Sequence, residues 1–182
     1  TIRKRKDGSL IDILAGYTPI SDEHGNFVGG ICVYKDNTER KRVEREKRES
    51  EERYARLVEL SPDAILVHRY GKILYANSAA ARLAQVASVK DLIGKELTSF
   101  IHPQYHMKAI RRVEQVLQAT SPLEAEEYKL LLANGTTIDV DIASTKIQYL
   151  GDNAAQVIVR DITERKKNEE ILLQSKLLVE QS

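Results

Sequence analysis

The sequence predicts an α+β fold: a five-stranded antiparallel sheet with helices on one face, flanked by coiled-coil linker helices. Three observations predict it. Apolar residues alternate along three segments, Tyr128/Leu130/Leu132, Ile138/Val140/Ile142 and Ala155/Val157/Val159, which is the period of half-buried strands. A helical spacing joins His106, Ile110, Val113 and Leu117 ahead of them. Two linker stretches bracket the unit, the first of them highly charged, and both keep heptad steps. Hairpins covered by helices on one face make a domain of this class.

Composition narrows the function classes. With 28 Lys and Arg against 27 Asp and Glu, the net charge is +1, without the concentrated positive excess that a nucleic-acid partner requires. Hydrophobic residues at 42% suffice for a core. The single cysteine, Cys32, excludes an intramolecular disulfide and a Cys-rich zinc site. No apolar run approaches the roughly 20 residues of a membrane helix, and no signal peptide is evident. The segment is therefore expected to be cytoplasmic, with no membrane contact of its own.

The chain repeats itself. Lys6-Asp7-Gly8-Ser9-Leu10-Ile11-Asp12-Ile13 returns as Ala133-Asn134-Gly135-Thr136-Thr137-Ile138-Asp139-Val140, with both Gly8/Gly135 and Asp12/Asp139 offset by 127. DNTERK (Asp36 to Lys41) returns as DITERK (Asp161 to Lys166), offset by 125, and Leu57 to Ser61 resembles Leu178 to Ser182, offset by 121. So long a period belongs to whole domains in tandem. The expected organisation is residues 1–37 as the last three strands of a truncated domain and 38–60 as a helical linker. Residues 61–163 form a complete domain, and 164–182 an outgoing helix leading to a further one. Residues 1–37 are too few to bury a core. Their apolar face, with Ile11, Ile13, Cys32 and Tyr34, is expected to be covered by a neighbouring chain or poorly ordered.

Within the complete unit, Ala64 to Arg69 and Ile73 to Ala76 read as a hairpin around Tyr70-Gly71-Lys72. Asn77 or Ser78 caps a short helix through Ala79 to Gln85, and Pro103 stands near the start of a longer helix running to about Ala119. Asn134-Gly135 and Gly151-Asp152 mark the turns between the last three strands. Alternation places Tyr128, Leu130, Val140, Ile142, Ser144, Val157 and Val159 on the inner face of the sheet, joined by Ile65, Val67, Leu74 and Ala76. The long helix crosses that face with Ile110, Val113 and Leu117. Either these side chains simply fill the core, or a small apolar ligand sits there with Tyr128, Ser144 or His106 as its polar anchor.

From Glu39 to Arg56, 14 of 18 residues are charged. Val43, Lys47, Ser50, Tyr54 and Leu57 follow the 4,3,4,3 steps of a heptad seam, and Asn168, Ile171, Ser175 and Leu178 repeat it. The alternative is a solvated single helix. A seam with so many polar positions suits a switchable parallel homodimer, carried by Val43, Tyr54, Leu57, Ile171 and Leu178.

Catalytic motifs are missing: there is no Ser/His/Asp signature, no phosphate loop and no H-E-x-x-H pair. His102 and His106 have the spacing of metal ligands on one helix, but Pro103 between them places His102 before the helix, so no metal is expected.

Tyr75-Ala76-Asn77-Ser78-Ala79, Ile93-Gly94-Lys95, Ile101-His102-Pro103, Asn134-Gly135-Thr136 and Asp161-Ile162-Thr163-Glu164-Arg165 follow one another in an order that resembles a PAS domain. The resemblance covers Ser61 to about Lys166 in full, and residues 1 to 37 resemble the last three strands of another copy. It implies a sensory module that takes a signal, dimerises and passes strain through its linkers to an output domain. The expected parent is a sensor histidine kinase, the alternatives being a diguanylate cyclase or phosphodiesterase, or a haem-based gas sensor. Asp161 and Thr163, with Asp36 and Thr38 in the first copy, take the position that the family associates with signal output. Thr163 is expected to N-cap the outgoing helix. Flavin-photoactive members carry Gly-x-Asn-Cys-Arg, which this chain lacks. Haem-binding members place a histidine on the long helix, where His106 stands, but its surroundings do not match.

Overall fold

The structure, a computed structural model, describes the backbone of residues 1–180 and the side chains of residues 1–176. The chain divides into two compact units, Thr1–Ala55 and the remainder from Arg56.

In the first unit, β1 (Ile2–Lys4), β2 (Leu10–Ser21) and β3 (Phe27–Asp36) form an antiparallel meander in that order. Gly8, at φ +89°, turns the first hairpin, and the Ser9 N–H and hydroxyl both donate to Asp7 Oδ1 at 2.9 and 2.7 Å. A side chain at Gly30 would run into the Tyr17 ring. Ile13 is the one buried residue of the meander, whereas Cys32 and Tyr34 are exposed. The apolar face is open in the single chain. Helix α1 (Thr38–Glu59) follows. Its ion pairs lie along the helix, as in Arg40–Glu44 at 2.9 Å and Lys47–Glu51 at 3.8 Å, each contributing a few tenths of a kcal/mol at most.

In the second unit, β4 (Ala64–Arg69) and β5 (Lys72–Ala76) form a hairpin, followed by α2 (Ser78–Ala84) and α3 (His106–Gln118). Three single turns of 3₁₀ helix, Val89–Asp91, Leu97–Phe100 and Pro103–Tyr105, connect the two helices. Strands β6 (Leu123–Leu131), β7 (Thr137–Tyr149) and β8 (Asp152–Asp161) precede α4 (Thr163–Glu180). The sheet is five-stranded and antiparallel, in the order β5-β4-β8-β7-β6. Its core cluster joins Leu66, Ile73, Tyr128, Val140, Val157 and Val159 to Ala80 of α2 and Ala109 of α3. Asn134 accepts the Thr136 N–H and hydroxyl at 2.9 and 2.7 Å, the same turn chemistry as Asp7. The shared spelling of the two copies builds the same local geometry.

The structure corrects several placements. Ile65 and Val67 are buried on the opposite face of β4 from the core cluster, while Ala64, Leu66 and His68 turn inward. Ala64 to Val67 is apolar throughout, because this interior strand is covered on both sides, so no alternation marks its inner face. In β5 the pairing with β4 shifts between Val67 and His68. That irregularity brings both Ile73 and Ala76 inward and leaves Leu74 half-buried beside them. On α3 the buried residues are Ala109, Arg112 and Val116, whereas Ile110 is 45% exposed. The inner stripe is thus turned relative to the apolar spacing. A buried arginine and a small alanine carry no apolar signal, and Pro103–Tyr105 forms a turn of its own before the helix.

Candidate functional site

Between the inner face of the sheet, α2 and α3 lies a cavity of about 90 Å³. From the sheet, Tyr128, Leu130, Ile142, Ser144, Val157 and Val159 line it, and Val113 lines it from α3. Ala76 and Val140 belong to the surrounding core without reaching the cavity wall. His106 does not reach it either: its Nε2 lies 2.8 Å from the Ile101 carbonyl oxygen, which holds the ring at the start of α3.

Sequence reasoning missed the most polar wall residue. Arg112 is 6% exposed. Its Nε donates to Ser144 Oγ at 3.1 Å, Nη1 to Glu126 Oε1 at 2.7 Å, and Nη2 to the carbonyls of Ile142, at 3.0 Å, and Glu124. Lys108 Nζ reaches the other Glu126 oxygen at 2.8 Å. Hydrogen bonding from Lys108 and the charge of Arg112 hold the Glu126 carboxyl below its ordinary range. Helical spacing from Ala109 to Val116 would have marked position 112, had polar residues been admitted to the inner stripe.

Two further polar groups stand at the wall. Tyr128 is 1% exposed, and its hydroxyl has no hydrogen-bond partner. Burial, then the Glu126 charge, pushes the phenol up to about 12. Lys108 Nζ sits 4.4 Å from the centre of its ring, and Tyr105 packs at 5.7 Å between centroids. His68 is 2% exposed, and its Nδ1 accepts the Gly71 N–H at 3.3 Å, so the neutral ring carries its proton on Nε2.

Burial pushes His68 down from 6.5 to about 4. Between those values the unfolded chain binds the extra proton, so the stability that His68 contributes is complete above about pH 6.5 and is lost as pH falls. A loss of about 2 kcal/mol between pH 7 and pH 5 is expected in urea melts. The His68→Asn variant, which keeps an acceptor for Gly71, should lose that slope. An unchanged slope would assign it to other groups.

Asn77 and Ser78 meet the end of the incoming helix, where the Ser78 N–H donates to Glu59 Oε1 at 3.3 Å. Asn77, fully buried, accepts the Ile65 and Ala80 N–H groups on Oδ1, both at 3.0 Å. Its Nδ2 donates to the carbonyls of Val58, near the end of α1, and Asp63, at 2.9 and 3.1 Å. Asn77, rather than Ser78, thus caps α2.

At the outgoing joint, Asp161 Oδ1 accepts the Thr163 N–H at 2.8 Å, and the Ile162 N–H donates to the Asp139 carbonyl at 3.0 Å. Lys166 pairs with Asp139 at 3.3 Å and with Glu127. The Thr163 hydroxyl does not cap α4: it is buried without a partner, and the Asp161 carboxylate takes over that task. In the first unit Asp36 Oδ1 likewise accepts the Thr38 N–H at 3.0 Å, and Lys41 pairs with Asp12 at 2.6 Å. There the Thr38 hydroxyl also accepts the Asp12 N–H at 3.0 Å. Of the seam positions, Val43, Tyr54, Leu57 and Ile171 are exposed; the Leu178 side chain lies outside the described residues.

A family model described as PAS fold matches residues 52–162. The chain belongs to the PAS family. A second PAS domain model matches residues 1–39. Over 175 residues, 96% of the chain, the PAS segment is 29% identical to sporulation kinase A of Bacillus subtilis (strain 168), and spans 28% of that protein's length. The PAS domain of the HTR-like protein from Haloarcula marismortui superposes with a TM-score of 0.55 at 22% identity, covering 67% of this chain and 99% of that one. A domain of the sensory box sensor histidine kinase/response regulator from Geobacter sulfurreducens does so with a TM-score of 0.51 at 15% identity, covering 60% and 92%. Among the described residues of this PAS chain, no helix is long and apolar enough to cross a membrane.

Proposed function

We propose that this segment is the cytoplasmic sensory part of a sensor histidine kinase of a two-component system. It takes a small molecule in the cavity between sheet and helices, dimerises through α1 and α4, and passes the change along α4 to an output domain. The observation that carries this reading is the similarity to a kinase across 96% of the chain. In the same reading, residues 1–37 are the last three strands of a second PAS domain. The register supports it: Ile13↔Asp36, Ala15↔Tyr34 and Tyr17↔Cys32 match Val140↔Asp161, Ile142↔Val159 and Ser144↔Val157 position for position.

Signal leaves through the Asp161 joint. In the full-length parent, Asp161→Ala removes an acceptor from the first turn of α4 and is expected to cost about 1 kcal/mol there. That is small beside a domain stability of about 5–15 kcal/mol, but enough for a several-fold shift between two signalling states. Basal autophosphorylation should change while the melting temperature stays nearly constant. Thr163→Val, which deletes only an unpartnered hydroxyl, should be neutral or slightly stabilising. Unaltered autophosphorylation in a folded Asp161→Ala parent would reduce the joint to a helix start.

Dimerisation is read by sedimentation equilibrium at tens of micromolar. A dimer weakened by Leu57→Asp is expected, and a monomer at every concentration would remove the seam.

A further inference from the structure

The cavity itself narrows what it can hold. A cavity of roughly 150 Å³ accommodates the six carbons of benzene, so about 90 Å³ limits an occupant to about four non-hydrogen atoms. The charge at the wall is already spent. Arg112 is held by Glu126, Ser144 and two carbonyls, and no other cationic side chain lines the cavity among the described residues. An anion would enter without a free partner, which in an apolar site costs far more than it gains.

What is left is hydrogen-bond donation. His68 Nδ1 is occupied by the Gly71 N–H, so the ring offers only Nε2–H. The Tyr128 hydroxyl, on a residue 99% buried, has no partner at all. A buried polar group left unpaired is destabilising, and the Tyr128 hydroxyl is such a group on a residue that lines the cavity, as His68 also does.

Building on the sensory function proposed above, we propose that the cavity takes a neutral, mainly apolar molecule of a few carbon atoms bearing one hydrogen-bond acceptor, a short ketone, aldehyde, ether or alcohol, anchored by the Tyr128 hydroxyl. Both wall groups stay uncharged near neutral pH, His68 because burial pushes it down and Tyr128 because burial pushes it up.

Three isosteric probes separate the possibilities: acetone, isobutene, which has the same shape without an acceptor, and acetate, which carries a charge. Each is titrated into the isotope-labelled 182-residue chain, following the amides of Ala80, Val116 and Val159 by NMR. Acetone should bind about tenfold more tightly than isobutene, the worth of one net hydrogen bond, and acetate should produce no saturable shift. Tyr128→Phe should abolish the preference while leaving isobutene binding intact. Equal binding of acetone and isobutene would overturn the anchor and leave a purely apolar sensor cavity. Saturable acetate binding would overturn the charge argument, and no binding by any probe would overturn the proposal. The sensory function is tested apart from this, by whether the cavity-filling Ala80→Leu changes autophosphorylation in the parent.

Discussion

Arg112→Ala is expected to lower the unfolding free energy by about 3–5 kcal/mol, a large share of the stability of a domain of this size. The guanidinium satisfies two carbonyls, Ile142 and Glu124, as well as Ser144 Oγ and Glu126. Truncation strands the Ile142 carbonyl in a dry interior, takes the partner from the part-buried contact of the Glu124 carbonyl, and enlarges the cavity, and the penalties add. Most of the loss comes from the main-chain acceptors rather than from the ion pair, because the Glu126 side chain is 41% exposed and keeps Lys108. Glu126→Gln should therefore cost less than about 1 kcal/mol. Arg112→Met, which refills the space without serving the carbonyls, should fall between the two. Arg112→Lys cannot reproduce the fork and should not restore the wild-type level. Urea denaturation orders the four variants. An Arg112→Ala protein within about 1 kcal/mol of wild type would mean that water replaces the guanidinium.

The pattern of hits and misses follows from the same physics. Strands β6, β7 and β8 were legible because each has one wet face, and the alternation of Tyr128 and Leu130 with charged neighbours marks the dry one. The turns at Asp7 and Asn134 were legible because a short carboxyl or amide followed by glycine builds them from adjacent residues alone. The bounds of β4 were legible as well, but not its inner face, since both of its faces are covered and Ile65 and Leu66 carry the same signal. Arg112 was invisible for a different reason. Its partners Ser144 and Ile142 lie 32 and 30 residues away, and only the folded sheet brings them to α3. The unpaired Tyr128 hydroxyl and the single protonated nitrogen of His68 are also properties of surroundings rather than of residue type. The repeat could show that Thr163 begins a helix, but not that its hydroxyl stays unpaired while that of Thr38 finds the Asp12 N–H.

The entrance to the domain offers the second large effect. Asn77 uses its whole amide, accepting twice on Oδ1 and donating twice from Nδ2, and all four partners are main-chain groups. Asn77→Ala takes the side-chain partner from all four at a fully buried position, although the Ala80 N–H keeps the carbonyl of residue 77 at 3.1 Å and the Val58 carbonyl keeps the Ser61 N–H at 3.3 Å. At about 1 kcal/mol net for each bond the loss is about 2–4 kcal/mol. Asn77→Asp keeps the two acceptor bonds but turns a carboxylate oxygen toward the carbonyls of Val58 and Asp63. Repulsion and the burial of a charge should make it at least as damaging as alanine. The two substitutions also separate stability from coupling. Arg112→Ala weakens the core without touching α1, whereas Asn77→Ala also removes the 2.9 Å bond to the Val58 carbonyl and so loosens the last turn of the incoming helix. Amide exchange in the folded state distinguishes them: Asn77→Ala should speed Ile65, Ala80 and the last turn of α1 by more than the global loss requires. If exchange at those sites accelerates only as much as in an Arg112 variant of equal stability, Asn77 is a core hydrogen-bonding residue and does not latch the incoming helix to the domain.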